Sequence, residues 1–364
     1  MTDANREIAR KVLEQLGVQA ADLLPQHASA LVPTFDEYIP RIIPTVPAGT
    51  LRTYRPYWQR VQIEWGPRKI DDPNSLEMQA LVEQTRVRAV YRRNSRDGRS
   101  AAEHMVGALR YLYRFAASDG YVPTAHAASA LSKPRRLPSP RGSISADRLR
   151  EVINVVTTTG DDKDLDTLIL RLHLETACRT GSALGIRPSD LDVGQHLVKL
   201  GGKGGTVHWQ PISATLLDML TAHIERGAGP DDQLLRYRHG RPITRRRYDH
   251  IWLRAGRELP WVETQQFSMH WIRHTVLTWV ERNFGFAVAR AYAAHAHQFS
   301  FGGATLTYVR AGIYEVAEAL SALTNETHPL ASGQYVTRPV SPPLPLPDWR
   351  PTMPTSRLPE GTNE

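Results

Sequence analysis

The chain has 364 residues, 41% hydrophobic and 23% charged, an ordinary globular composition with length for about two domains. Its formal net charge of +8 favours a polyanionic partner, nucleic acid or an anionic surface. No apolar run reaches the roughly 18 residues that cross a bilayer, and the single cysteine, Cys178, excludes an intrachain disulfide framework and CxxC zinc sites and fits a reducing cytoplasm.

The opening stretch, MTDANREIARKVLEQLG, lacks the apolar h-region of a signal peptide and reads as an amphipathic helix, so residues 1–30 are expected to be a helical extension. Tyr54, Trp58, Val61 and Trp65 recur at i, i+4, i+7 and i+11, one apolar helix face. Pro56 predicts that this helix starts or bends there. A second helix is expected over 76–91. Ser100 and Glu103 form a capping box for a third helix that runs to about residue 118, with Gly120 as its stop. Met105, Ala108, Leu109, Leu112 and Ala116 line its core face. The intervening RRNSRDGR, 92–99, reads as a solvated loop or, given the overall basicity, as one that contacts phosphate.

Residues 132–143, SKPRRLPSPRGS, are rich in proline and arginine and predict an extended basic linker. Ser145 then caps a helix carrying Leu149, Val152, Ile153 and Val156. DLDTLILRLHLETACRTG reads as a helix ending near Arg179. HLVKL and TVHWQPI read as strands around Gly201, Gly202, Lys203, Gly204 and Gly205, a hairpin with Lys203 at its tip. Further helices are expected around 216–224, 248–259, 270–282, 286–295 and 314–323. From His328 the chain is proline-rich and poor in pattern, and 328–364 reads as a disordered or polyproline II tail.

Six residues suggest chemistry. His270 and Arg273, in SMHWIRHTVLTW, fall at i and i+3 on one face in the first turns of a helix that Ser268 is placed to cap. A helix N-terminus favours anions, and an arginine adds a bidentate phosphate grip. Arg179 follows a helix end, with Gly181 letting the backbone turn. Lys203, flanked by glycines, has the reach of a mobile proton donor, and GGKGG lacks the GK-[ST] ending and following helix of a Walker A loop. His295 and His297 form H-x-H, but one-residue spacing on a helix points the rings apart and no cysteine or carboxylate is close, which argues against zinc. A hydrogen bond from one of them to a phosphate oxygen fits better. Tyr308, in GATLTYVRA, is a phenol that can act as a covalent nucleophile. Singly, each has a plain structural reading, such as a dipole-compensating arginine, a turn lysine or a core tyrosine. As an ordered set they suit phosphoryl transfer through a covalent protein–DNA bond.

That ordered set resembles the tyrosine recombinases of the phage-integrase family over roughly residues 31–327. ETACRTGSALGIRPSDLD is similar to the family's first arginine box, giving Arg179. Lys203 stands in the place of its β-hairpin lysine. HWIRH resembles its H-x-L-R-H box, giving His270 and Arg273, and AAH at 293–295 resembles its L-G-H box, giving His295. TYVRA gives the nucleophile, Tyr308. Ser182 stands where the family usually has an acidic residue three positions after the arginine, AAH departs from L-G-H, and the stretch from His295 to Tyr308 is longer than usual.

The resemblance implies a mainly α fold with a small β-hairpin or sheet (α+β). It implies a helical core-binding domain at 31–131 that grips DNA, the linker at 132–143, a catalytic domain at 144–327 and the tail beyond. The implied function is site-specific DNA recombination or integration. Tyr308 attacks the scissile phosphate, forms a 3′-phosphotyrosine and releases a 5′-hydroxyl. Arg179 and Arg273 stabilise the non-bridging oxygens, Lys203 is the general acid, His270 assists proton transfer and His295 hydrogen-bonds the phosphate. The implied reaction needs no metal, ATP or other cofactor. The implied partners are double-stranded DNA at specific attachment sites, further copies of the chain in a synaptic tetramer, and accessory DNA-bending or directionality factors, with no membrane. The implied setting is cytoplasmic and nucleoid-associated, with a phage, a conjugative or other mobile element, or the host as the source of the gene. Type IB topoisomerase-like relaxation uses the same chemistry, although the helix after Tyr308 favours recombination. A non-catalytic DNA-binding regulator has only Ser182 in its favour.

Overall fold

The computed structural model describes residues 11, 12, 15, 32–90, 96–135, 142–202, 205–294, 311–333 and 340–348. The chain divides into two units, Met1–Pro138 and Ser139–Glu364.

In the first unit the described residues form helices α1 (Phe35–Ile42), α2 (Ala48–Trp65), α3 (Ser75–Val87), α4 (Arg99–Ser118) and the single turn α5 (Ala127–Ala130). Reciprocal capping boxes start α1 (Thr34 with Glu37) and α3 (Asn74 with Glu77), each satisfying backbone N–H groups that the first turn leaves without partners. Trp58, Val61 and Trp65 of α2 are buried with Met105, Ala108, Leu109 and Leu112 of α4. The Trp58 indole N–H donates to the Ala108 carbonyl at 3.0 Å, which satisfies the polar edge of a buried ring. Two expectations about helix ends change. Pro56 lies inside α2 on its exposed side, so the helix does not start there. Helix α4 begins directly after Gly98 (φ 73°), so the Ser100–Glu103 box is not its cap. A Cβ at Gly98 would lie 2.0 Å from the Arg86 carbonyl oxygen, so close approach to the end of α3 sets that start.

The second unit contains α6 (Ala146–Thr158), α7 (Lys163–Thr176), α8 (Thr180–Leu184), α9 (Ala214–Ile224), α10 (Arg245–Glu258), α11 (Pro260–Thr264), α12 (Met269–Phe284), α13 (Phe286–Tyr292) and α14 (Ile313–Thr324). A three-stranded antiparallel sheet runs in the order β1 (Leu191–Asp192), β2 (Leu197–Gly201), β3 (Val207–Pro211), with Leu200 opposite His208. The mainly α architecture with one small sheet agrees with the fold class expected from the sequence.

Helix α7 is the centre of this unit. Every residue from Leu165 to Thr176 is buried, so its polar side chains must be paired to avoid a large desolvation cost. Asp166 accepts from Arg247 at 2.7 Å and from Arg254 at 2.6 Å. Glu175 accepts from Arg171 at 2.7 Å and from both the backbone and hydroxyl of Ser213 at 2.9 and 2.7 Å. Asp166→Asn leaves two guanidinium groups facing a neutral amide, and breaking a buried pair of this kind costs about 3–5 kcal/mol. Urea unfolding should show that loss. A change below about 1 kcal/mol, the range of exposed pairs, would show that Asp166 is not a structural keystone.

The tail read as disordered or polyproline II over 328–364 makes specific contacts in its described parts. The His328 side chain is buried, with Nε2 3.0 Å from the His196 carbonyl. Over 340–348 the chain forms neither helix nor strand, and Val340, Leu344 and Leu346 pack, partly buried, on the core. Trp279 donates to the Pro342 carbonyl at 3.0 Å, the Ser341 N–H to Asn283 at 2.8 Å and Arg171 to the Pro347 carbonyl at 3.1 Å. Proline lacks a backbone donor but keeps its carbonyl. The segment is therefore held by two side chains that donate to its proline carbonyls and by an asparagine oxygen that accepts from its backbone.

Candidate active site

Helix α7 ends where Ala177 turns into the left-handed region (φ 48°, ψ 22°). Cys178 follows, and Arg179 occupies the N-cap position of α8 with its side chain exposed. Helix α12 starts with Ser268 at its N-cap in an extended conformation, although that hydroxyl makes no capping bond among the described residues. His270 and Arg273 lie in its first turns. These segments and the first turns of α10 enclose a cleft of about 300 Å³, lined by Arg179, His270 and Arg273 together with Arg245, Tyr248 and Trp252. Three residues singled out from the sequence, far apart along the chain, thus share one concave surface. Lys203, His295 and Tyr308 lie outside the described residues.

Arg273 is buried, and its guanidinium donates to the Ala177 carbonyl and, at 2.7 Å, to the Ala293 carbonyl. These two anchors fix the guanidinium plane and tie it to two separate backbone stretches. One of those backbone stretches leads into Arg179 and the other towards residue 295. Burial, followed by repulsion from Arg179, brings the Arg273 pKa down to about 10. The group still carries its charge at neutral pH. Two arginines that repel one another beside a helix N-terminus form an electrostatic trap for an anion. The His270 ring stands edge-to-face against His274, with centroids 4.9 Å apart.

Sequence reasoning missed two imidazoles here. His208, half-buried on β3, has its pKa lowered by burial and then by Arg273 and Arg179, so it lies within the field of both arginines. Strand alternation in TVHWQPI could have placed it on the same face as buried Gln210. His173, in the centre of α7, is fully buried, and burial lowers its pKa to about 4. Its Nδ1 lies 3.1 Å from the Cys178 carbonyl and its Nε2 lies 3.1 Å from the Tyr248 hydroxyl. Only its place six residues before Arg179 distinguished it in the sequence from any core histidine. Burial also pushes the Cys178 thiol up to about 11, which leaves it protonated and inert at neutral pH. Ser182, at the position where an acidic residue was expected, donates from Oγ to the Gly201 carbonyl at 2.5 Å. It joins α8 to the stem of the hairpin whose turn contains residue 203.

Residues 143–300 match the model of the phage integrase family. That stretch is therefore similar to a phage integrase domain. Tyrosine recombinase XerD of Mycobacterium tuberculosis (strain CDC 1551 / Oshkosh) is 30% identical over 197 residues, covering 50% of this chain and 60% of that protein. XerD of Mycobacterium leprae (strain TN) is 32% identical over 137 residues, 35% of this chain and 41% of that protein. The chain therefore matches less than two thirds of these relatives' length. Among solved structures, a lambda integrase tetramer bound to a Holliday junction superposes with TM-score 0.58 at 14% identity, covering 82% of this chain and 90% of that one. The Tn1549 transposon integrase in complex with circular intermediate DNA gives 0.54 at 14% identity, covering 79% and 98%. At these identities the likeness is one of fold alone: the chain shares its mainly α architecture with these integrases.

Proposed function

We propose that the chain is a site-specific DNA recombinase that cuts and rejoins strands through a 3′-phosphotyrosine. The observation that carries this reading is the convergence of Arg179, Arg273 and His270 on one anion-favouring cleft. In the proposed reaction a scissile phosphate sits between the two guanidinium groups, which stabilise its non-bridging oxygens as charge develops. The Tyr308 phenolic oxygen forms a bond to phosphorus and loses its proton, with His270 assisting. The bond to the 5′-oxygen breaks, and Lys203 donates the proton that makes it a hydroxyl. His295 hydrogen-bonds the phosphate. The energy of the phosphodiester is kept in the phosphotyrosine ester, so the reverse attack by a 5′-hydroxyl reseals a strand without ATP. The cationic side chains occupy the electrostatic role that metal ions fill in other phosphoryl transfers.

The proposed partners are duplex DNA at defined sites and further copies of the chain on that DNA. Support comes from the net charge of +8 and from the fold shared with lambda integrase, which is known as a dimer on core-site DNA and as a tetramer on a Holliday junction. Accessory bending or directionality factors and a nucleoid-associated location belong to the same reading. The test uses duplexes made from DNA that flanks the gene, nicked next to the candidate scissile bond so that the cleaved end diffuses away. Wild-type protein should accumulate a detergent-resistant adduct in the presence of EDTA. Tight, site-specific binding without any adduct would instead make the chain a regulator.

A further inference from the structure

The turn that presents Arg179 has an unusual composition. Ala177 adopts φ 48°, a region that residues with a Cβ avoid and glycine enters freely. Such a conformation persists only when its surroundings over-determine it. Three hydrogen bonds do so here. Arg273 donates to the Ala177 carbonyl, the Cys178 N–H donates to the Thr176 hydroxyl at 3.3 Å, and His173 lies 3.1 Å from the Cys178 carbonyl. The third comes from a group that has no place in the proposed reaction: the His173 ring is 1% exposed and cannot reach DNA.

A carbonyl oxygen only accepts, so the His173 nitrogen that faces Cys178, Nδ1, carries the hydrogen. In a neutral imidazole Nε2 is then an acceptor, and the Tyr248 hydroxyl at 3.1 Å donates to it. Tyr248 is also a wall of the cleft. One ring thus links the wall of the cleft to the peptide immediately before Arg179.

We propose that His173, as its Nδ1–H tautomer, is a positioning residue that holds the Ala177–Cys178 turn in its left-handed form and so aims Arg179 at the scissile phosphate. The catalytic part rests on the recombinase reading, whereas the clamp itself does not. Neutralising burial keeps the ring in this form throughout the physiological pH range.

Two measurements test it. Long-range ¹H–¹⁵N correlation on ¹⁵N-histidine-labelled full-length protein reads the tautomer directly. His173 should give the Nδ1–H pattern from pH 5 to 8, and an Nε2–H pattern overturns the clamp. The second is single-turnover cleavage of the nicked duplex, with either a normal phosphate or a neutral methylphosphonate at the scissile position. On phosphate, His173→Leu should slow cleavage about tenfold or more, a fraction of the loss of a whole stabilising donor, with duplex affinity unchanged. His173→Asn, whose amide can donate in the place of Nδ1, should recover much of the rate, as should Ala177→Gly added to His173→Leu. On methylphosphonate, which lacks the ground-state charge and one of the two non-bridging oxygens, there is less charge for Arg179 to neutralise, and the deficit should shrink in parallel with that of Arg179→Ala. Equal deficits on both substrates, or none on phosphate, would overturn the positioning role. If wild type forms no adduct on any duplex, the recombinase reading fails, and the tautomer still decides the clamp.

Discussion

Tyr308→Phe is expected to abolish the detergent-resistant adduct and to leave duplex affinity unchanged. The substitution removes one oxygen from the proposed nucleophile, while affinity for DNA comes chiefly from cationic contacts to phosphates. The prediction is sharper because two other tyrosines lie near the site. Tyr248 lines the cleft, but its hydroxyl is paired with His173, and burial raises its pKa far above the ordinary phenol value. Tyr292 is buried, its hydroxyl donates to the Glu175 carbonyl, and burial again raises its pKa. A phenol that is hard to ionise and already committed to an acceptor is a poor nucleophile. Tyr248→Phe and Tyr292→Phe should therefore still form the adduct, the former more slowly because it loosens His173. An adduct that survives Tyr308→Phe and disappears with Tyr248→Phe would move the nucleophile into the cleft wall.

Arg273→Ala is expected to reduce the cleavage rate by about 10²–10³-fold, the usual loss for one donor aimed at developing oxyanion charge. It should also lower thermal stability, because the guanidinium holds the Ala177 and Ala293 carbonyls. Arg179→Ala should cause a comparable kinetic loss with little change in melting temperature, since that side chain is exposed at a helix start. Arg273→Lys should rescue poorly. A point charge on a flexible stem cannot reproduce a planar group that bonds two carbonyls and grips phosphate at a fixed angle. Single-turnover kinetics paired with thermal melts separate the two effects. Arg273→Ala within tenfold of wild type would remove it from the proposed oxyanion clamp.

The helical architecture was largely legible in the sequence, because helix periodicity depends on neighbours a few residues away. The apolar face of α2, the Ser145 cap of α6 and the strands around the glycine-rich turn all followed from local pattern. The start of α4 did not, since it depends on how closely Gly98 approaches Arg86 across a turn. Nor did the packing of 340–348. Proline-rich composition signals extended chain without saying whether tryptophan and arginine donors elsewhere will bind its carbonyls or an asparagine oxygen its N–H. In the cleft, Arg179, His270 and Arg273 were singled out through motif spacing. His173 and His208 were not, because their relevance comes from three-dimensional proximity to those arginines. The role of Ser182 was likewise hidden until its hydroxyl was seen bonded to the hairpin stem.

Val340, Leu344 and Leu346 complete an apolar core that begins at Leu149. Because domains fold as units during synthesis, the second unit cannot close over Trp279 and Arg171 until residue 348 has cleared the ribosome. A chain interrupted by a premature stop codon just before residue 340 would carry every proposed catalytic side chain and still present an open, sticky flank. Late nonsense mutations should therefore yield aggregates or degradation products in place of a slightly shortened active protein.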